Sequence, residues 1–148
     1  MPLPTPEPGL IIRYAYLWRS EASQGEEEGR KDRPCAVVLA REITETGEIL
    51  ALVAPITHTP PGEGDTSALA IPARVKQRLG LDEAPSWIIT RELNSFSLPG
   101  PDLRPIARGE GPAKFVYGHL PQKLTEEMIR RVVAHVRTGE IKQVRRTR

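Results

Sequence analysis

The chain has 148 residues, of which 27% are charged, and its formal net charge is only +2. This length suits one domain with its own hydrophobic core, and the near balance of charge argues against a strongly basic nucleic-acid-binding protein. Cys35 is the only cysteine, which excludes an internal disulfide and any paired-cysteine metal or redox motif. Neither a secretion signal nor a run of about 18 apolar residues is found, so we expect a cytoplasmic protein outside the membrane.

Charge is distributed unevenly along the chain. Residues Glu26–Glu28 form an acidic cluster, whereas the C-terminal end is basic through Arg137, Lys142, Arg145, Arg146 and Arg148. This asymmetry indicates either an anionic partner near the C-terminal end or an ordinary solvated terminus. We divide the chain into a flexible Pro-rich leader (residues 1–8), a single domain (residues 9–138) and a basic tail (residues 139–148).

The first strand is predicted at residues 10–18, which are mostly apolar and aromatic. Tyr14, Tyr16 and Trp18 are spaced by two, so in a strand their rings project from one face. Rings in this pattern belong to a barrel core or a dimer contact, or they form a platform on which bases stack. The polar segment that follows, residues 19–32, predicts a long loop.

Two adjoining apolar runs then predict a pair of antiparallel strands. Residues 34–40 and 48–56 are short and rich in Val, Ile and Leu, the pattern of strands buried on both faces. Thr46-Gly47 between them predicts a hairpin. Because the start of one antiparallel strand lies beside the end of the other, we expect Arg33 and Thr57 to meet at one rim of the sheet. A guanidinium and a hydroxyl there suit a phosphate group.

The second half of the domain predicts short strands and two helices. A turn is expected over residues 95–101, and the predicted strands cover residues 67–71, 86–90, 102–106 and 115–120. Pro72–Leu79 predicts a short helix that Gly80 ends.

The last helix has the clearest pattern. Its apolar positions recur at intervals of four, at Leu124, Met128, Val132 and Val136. Thr125 is the expected cap, Gly139 the expected end, and His135 on this helix is expected to be exposed. The elements together predict a mainly β fold of the α+β class, barrel-like, with a short internal helix and a C-terminal amphipathic helix.

Four segments of the chain carry a family resemblance. A Gly-led first strand is followed by RPCAVVL from Arg33 to Leu39, by PIT from Pro55 to Thr57, and by YGHLP from Tyr117 to Pro121 before the last helix. This order resembles the MazF/PemK (Kid, CcdB-like) toxins of type II toxin–antitoxin systems. The resemblance implies an SH3-like barrel, a homodimer, and a metal-independent endoribonuclease that cleaves single-stranded RNA and is blocked by a cognate antitoxin protein.

The resemblance maps the catalytic Arg and Thr of that family onto Arg33 and Thr57. Cleavage without a metal uses the 2′-OH of the substrate as nucleophile, so RNA and not DNA would be cut. Arg33 suits the developing phosphate charge, because its planar guanidinium stays charged and donates to two oxygens. Thr57 would hold the phosphate through its hydroxyl. Considered alone, Arg33 is equally a surface ion-pair residue and Thr57 a turn residue.

The general base is less well defined by the sequence. Some relatives carry an Arg-x-Asp pair on a later strand, where this chain has RELN from Arg91 to Asn94. Glu92 is the candidate base in place of that Asp, although Arg91 and Glu92 are alternatively ordinary exposed charges. His58, next to Thr57, is a second candidate acid or base, or a solvated histidine.

The remaining predicted contacts with RNA are Trp18, His58, Arg91 and Asn94. No metal or cofactor is predicted, because the three histidines do not have the spacing of metal ligands. The main alternative is a non-catalytic SH3-like module that binds protein or nucleic acid, which the acidic cluster at Glu26–Glu28 and the missing Arg-x-Asp favour. A gyrase-directed toxin on the same fold is a third possibility, by fold analogy alone.

Overall fold

The computed structural model describes residues 7–14, 33–42, 49–98, 116–139 and 141–145. Within these ranges the chain forms two helices, α1 (Ala73–Leu79) and α2 (Gln122–Arg137). It also forms eight strands: β1 (Leu10–Tyr14), β2 (Arg33–Glu42), β3 (Ile49–Thr57), β4 (Ala68–Ala70), β5 (Trp87–Ile89), β6 (Glu92–Leu98), β7 (Val116–His119) and β8 (Lys142–Arg145). The predicted mainly β, α+β fold class with a short internal helix and a C-terminal helix is confirmed.

The strands form one sheet in which β2 and β3 are central. The order is β4-β5-β3-β2-β1-β7, with β6 also paired to β3 and β8 added parallel to β6. β2 and β3 pair antiparallel, as predicted, from Cys35 opposite Pro55 to Glu42 opposite Ile49. The strands predicted near residues 67–71, 86–90 and 115–120 are found as β4, β5 and β7.

β3 changes its partner near its end. Its first part pairs with β6, up to Val53 opposite Asn94, whereas its last two residues pair with β5, Ile56 with Ile88 and Thr57 with Trp87. Pro55, which has no N–H to donate to a ladder, lies in the gap between the two pairings. The end of β3 therefore lies close to three strands that pair with it, β2, β5 and β6.

Two apolar clusters cover the two faces of the central strands. Alternate residues of β2 divide between them, since Ala36 and Val38 belong to one cluster and Cys35 and Val37 to the other. The first cluster also contains residues of α1 and α2, such as Val75 and Met128. Residues 35–38 of β2 and 53–56 of β3 are thus buried on both faces, as their unbroken apolar runs predict, and Cys35 is a core side chain, whereas Leu39 is 50% exposed.

α1 begins one residue later than predicted and ends where the sequence predicts. Pro72 precedes it with φ −57°, a conformation that proline already prefers, and Val75 and Leu79 are buried on one face. Gly80 ends the helix with φ 72°, the left-handed conformation in which its N–H returns to the last turn.

Two predictions about α2 were wrong. The helix begins at Gln122 after Pro121, and Thr125 lies one turn inside it, where its Oγ1 donates to the Pro121 carbonyl oxygen at 3.1 Å. Pro121 holds the cap position, and because it has no side-chain oxygen, no side-chain hydrogen bond caps the helix. His135 is only 8% exposed, because it shares a face with the buried Val132 three residues earlier.

The C-terminal part of the sheet also differs from expectation. Residues 95–98, predicted as part of a turn, extend β6, because all four pair with β3, and Ser95 also pairs with β8. β8 lies in the segment assigned to a basic tail, and it was not predicted. The strand predicted at residues 102–106, the Thr46-Gly47 turn, Tyr16 and the acidic cluster Glu26–Glu28 lie outside the described residues. No helix in the described ranges is long and apolar enough to cross a membrane.

Gly9 allows the first strand to approach α2 closely. Its φ is +90°, and a Cβ built on it would lie 2.5 Å from the Thr125 Oγ1 atom. The Gly9 backbone is fixed on both sides, since its N–H donates to Val37 O at 2.9 Å and its carbonyl accepts from Leu120 N at 2.8 Å. Neither the strand nor the helix can shift without breaking these bonds.

We therefore expect Gly9→Ala to destabilise the fold more than a matched change at Gly64. Gly64 also has positive φ, +76°, but nothing lies within 4 Å of its Cβ position. The left-handed conformation costs about 1–2 kcal/mol in either variant. The clash with Thr125 adds about 1–3 kcal/mol at Gly9 alone. Urea unfolding of the two variants measures this difference, and equal losses would contradict the close approach.

Candidate functional site

Arg33 and Thr57 lie at the same rim of the sheet. The β2–β3 pairing places Cys35 opposite Pro55, and continuing the same ladder by two residues brings Arg33 opposite Thr57. Arg33 is the first residue of β2 and Thr57 the last of β3, and both side chains are half-buried. The antiparallel arrangement predicted from the two apolar runs therefore brings this pair together.

A cleft of about 740 Å³ opens at this rim. Its size falls within the range of about 300–1,000 Å³ that is usual for small-ligand sites. The residues that line it are Arg33, Pro34, Ile56, Thr57, His58, Thr59, Pro60, Pro61, Gly62, Asp65, Ser67, Asp82, Ile89, Arg91 and Glu92. Both arginines, one histidine and three carboxylates thus share one cleft with the Thr57 hydroxyl.

Arg91 and Glu92 reach the cleft where β5 connects to β6, opposite the end of β3. Between the two pairings of β3, two residues intervene on β3 itself, but five (residues 89–93) intervene on the facing segment. Ile89 of this segment pairs with β4, and Glu92 and Leu93 pair with β8, so only Thr90 and Arg91 lie between the two strands. Thr90 is buried and donates to Ser67 O from its N–H at 2.7 Å and from its Oγ1 at 2.8 Å. The alternation of a regular strand does not apply here, so adjacent Arg91 and Glu92 both line the cleft.

The Thr57 hydroxyl is oriented by a local turn. Its Oγ1 accepts a hydrogen bond from Thr59 N at 3.1 Å. A hydroxyl that accepts through a lone pair retains its own proton for donation. Thr57 is therefore both the turn residue that its position suggests and a potential donor towards the cleft.

A network of three charged side chains lies beside Thr57. His58 Nε2 is 2.8 Å from Asp82 Oδ2, and Lys76 Nζ is 2.7 Å from Asp82 Oδ1. Lys76 is only 3% exposed, and it also donates to Ser86 Oγ at 2.6 Å and to the Ala84 carbonyl oxygen. The hydrogen bond from Lys76, with the charges of Lys76 and His58, lowers the pKa of Asp82 below its ordinary value of 3.8.

Asp65 is a second fixed carboxylate of the cleft. Its Oδ1 accepts from Ser67 Oγ at 2.6 Å and from Ser67 N at 2.9 Å. These two hydrogen bonds, together with the positive charges of Arg91 and His135, lower the pKa of Asp65. Asp65 is therefore an anion at neutral pH.

The structure brings five of the seven predicted site residues to one cleft: Arg33, Thr57, His58, Arg91 and Glu92. Asn94 is a correction, because it is fully buried and does not line the cleft. Asn94 lies in β6 between Val53 of β3 and Val144 of β8. The sequence did not predict β8, and without it β6 would be an edge strand of the sheet. Trp18 lies outside the described residues.

Sequence reasoning missed Asp65, Asp82 and Lys76. The only signal for Lys76 is its helical position, three residues before Leu79 on the face that also buries Val75. A lysine at an apolar position of a short helix indicates a buried partner, but the sequence does not identify Asp82 as that partner. No three His, Cys, Asp or Glu side chains among the described ranges are arranged to hold a metal ion.

Asp82→Asn is expected to lower stability at neutral pH by about 1–2 kcal/mol, because it removes the anion that pairs with buried Lys76. A carboxylate whose pKa is lowered by folding contributes stability above its unfolded pKa and loses it as the pH falls through the folded value. The stability difference from wild type should therefore be complete above pH 3.8 and disappear in stronger acid. Urea unfolding across this pH range measures it.

Glu83→Gln is the matched control, because Glu83 is an exposed neighbouring carboxylate. A difference between wild type and Asp82→Asn that is the same at every pH would show that the charge of Asp82 does not contribute.

Comparison of the chain with protein-family models finds no match, and comparison with curated protein sequences finds none either. The resemblance to MazF/PemK toxins therefore stays a prediction carried by the residues of this chain.

Proposed function

We propose that the chain is a metal-independent endoribonuclease toxin of the MazF/PemK type that cleaves single-stranded RNA. The observation that carries the proposal is the convergence of Arg33, Thr57 and Glu92 on one cleft. These residues come from three different strands and are far apart in the sequence. Phosphate-binding donors beside a carboxylate are the groups that cleavage by an internal 2′-OH requires.

In the proposed reaction, the 2′-oxygen of one nucleotide attacks the phosphorus that follows it. Glu92 accepts the proton of the 2′-OH, the bond from phosphorus to the 5′-oxygen breaks, and that oxygen gains a proton. The products are a 2′,3′-cyclic phosphate and a free 5′-OH. No outside nucleophile is needed, and DNA, which lacks the 2′-OH, cannot react.

Arg33 and Thr57 would stabilise the charge that develops on the phosphate. The guanidinium donates from a fixed plane to two oxygens, while the Thr57 hydroxyl supplies a third donor held by its turn. Their half-buried positions at the rim restrict the motion of both groups before RNA binds. A preorganised donor of this kind is typically worth about 3–4 kcal/mol in the transition state.

Arg91 and His58 are the predicted RNA contacts that line the cleft, and both are exposed. Arg91 would bind a flanking phosphate, whereas His58 would lie beside the reacting phosphate, because it directly follows Thr57. A homodimer, a cognate antitoxin protein that covers the cleft, and a cytoplasmic location belong to the same proposal and rest on the resemblance. Because the proposed reaction needs no metal ion, its persistence in EDTA distinguishes it from that of metal-dependent nucleases.

A non-catalytic module that binds protein or nucleic acid is the second candidate. The observation that favours it is the presence of Asp65, Asp82 and Glu92 in the cleft, since carboxylates oppose a polyanion. Asp65 and Asp82 accept hydrogen bonds from Ser67 and Lys76 respectively. Such a cleft would suit a cationic segment of a protein partner as well as a phosphate.

Arg33→Ala should reduce RNA cleavage by about 10²–10³-fold, because it removes the main donor to the reacting phosphate. The measurement uses purified protein, end-labelled single-stranded RNA of mixed sequence, and EDTA to exclude metal-dependent nucleases. Arg74→Ala is the control, since Arg74 is an exposed arginine of α1 that does not line the cleft. Equal cleavage by wild type and Arg33→Ala would contradict the proposal, and binding of RNA without cleavage would favour the module.

Thr57→Ser and Thr57→Val separate the hydroxyl from the shape of the side chain. Serine keeps the donor and should keep most of the cleavage rate, whereas valine removes it and should lose about 10²-fold. Equal rates in the two variants would show that the Thr57 hydroxyl takes no part in the reaction.

A further inference from the structure

His58 is held by a buried anchor, which distinguishes it from a solvated surface histidine. Its Nε2 contacts Asp82 at 2.8 Å, and Asp82 contacts Lys76 at 2.7 Å through its other oxygen. The His58 and Asp82 side chains are 48% and 60% exposed, so the pair lies at the surface, but Lys76 is 3% exposed. An exposed dyad is thus attached to the core through one lysine.

Lys76 has all the partners that its ammonium group can use. It has three N–H donors, and Asp82, Ser86 and the Ala84 carbonyl oxygen accept from it. Removing a lysine from water is strongly unfavourable unless such partners compensate for it, so a full set of acceptors indicates a fixed position. Asp82 is consequently restrained more than a surface carboxylate with a flexible partner would be.

The contact with Asp82 fixes which ring nitrogen of His58 can react. An ionised carboxylate only accepts, so the proton of this hydrogen bond belongs to Nε2. Nδ1 is then the nitrogen that gains or loses a proton. A histidine whose second nitrogen is oriented by a carboxylate is the arrangement that acid–base catalysis uses.

We propose that His58 is the general acid of the RNA cleavage, and that Asp82 and Lys76 are positioning residues that act through it. The inference rests on the proposed function. Two observations carry it: His58 directly follows Thr57 in the same cleft, and the Lys76–Asp82 pair holds its ring. The base role suits Glu92, because a carboxylate carries no proton at neutral pH, and the acid role is left to His58.

The proton transfer is balanced in the following way. As the bond from phosphorus to the 5′-oxygen breaks, Nδ1–H of the imidazolium gives its proton to the departing oxygen, while Glu92 holds the proton of the 2′-OH. Exchange with water then restores both groups. The charged side chains that share the cleft with His58 are Arg33, Asp65, Asp82, Arg91 and Glu92, and Lys76 lies with His58 in the adjoining pocket of about 200 Å³.

A substrate whose leaving group needs no acid tests the assignment. The cleavage site is first mapped with the wild-type protein, and the 5′-oxygen at that site is then replaced by sulfur. A thiolate leaves without protonation, so a variant that lacks only the general acid regains its activity on this RNA. A variant that is merely misfolded or binds RNA poorly does not.

His58→Gln should lose about 10²–10³-fold on ordinary RNA and remain within about tenfold of wild type on the sulfur-containing RNA. Asp82→Asn should show a smaller loss on ordinary RNA with the same rescue, and it should shift the pH profile of cleavage. Glu83→Gln is the control that should change neither rate, and Arg33→Ala should not be rescued.

The failure of this inference is distinguishable from the failure of the proposed function. If wild type cleaves both substrates and His58→Gln is impaired equally on both, His58 is not the acid, while the nuclease proposal stands. If Asp82→Asn is impaired equally on both, or not at all, Asp82 does not act through His58. If wild type cleaves neither RNA, the proposed function itself is overturned.

Discussion

The change of partner along β3 is the constraint on which the cleft depends. Along β3, Pro55 lies between the residues that pair with β6 and those that pair with β5. Between the two pairings, the facing segment has three more residues than β3 has. These surplus residues place Arg91 and Glu92 beside the end of β3. A regular pairing would instead direct adjacent side chains to opposite faces of the sheet. The irregularity therefore assembles the charged groups at one rim.

The electrostatic character of the cleft follows from how its carboxylates are held. Asp82 is paired with a buried ammonium group, whereas Asp65 is bonded only to the neutral backbone and hydroxyl groups of Ser67. Asp65 consequently keeps its full charge close to Arg91, as the effect of that arginine on its pKa indicates. The two arginines of the cleft thus share it with three carboxylates, of which Asp82 is paired with Lys76.

The parts of the fold that the sequence predicted are those in which local pattern and tertiary position agree. The apolar runs were sufficient to predict β2 and β3, and Pro72 and Gly80 were sufficient to predict α1. Antiparallel pairing of β2 with β3 then predicted that Arg33 lies beside Thr57. Long-range pairing could not be predicted from the sequence. β8 is basic and polar in composition, yet it pairs with β6 and buries Asn94, while Lys76 obtains its partners from a loop that carries no motif of its own.

The parallel pairing of β8 links the far end of the chain to the cleft. Lys142 lies opposite Glu92, the first residue of β6, in the register. Proteolytic trimming of these last residues would uncover a row of unpaired backbone groups on β6, a surface prone to pair with another chain. It would also loosen the strand that presents Glu92. Damage to a segment that holds none of the cleft residues would thus reach the site and promote self-association at the same time.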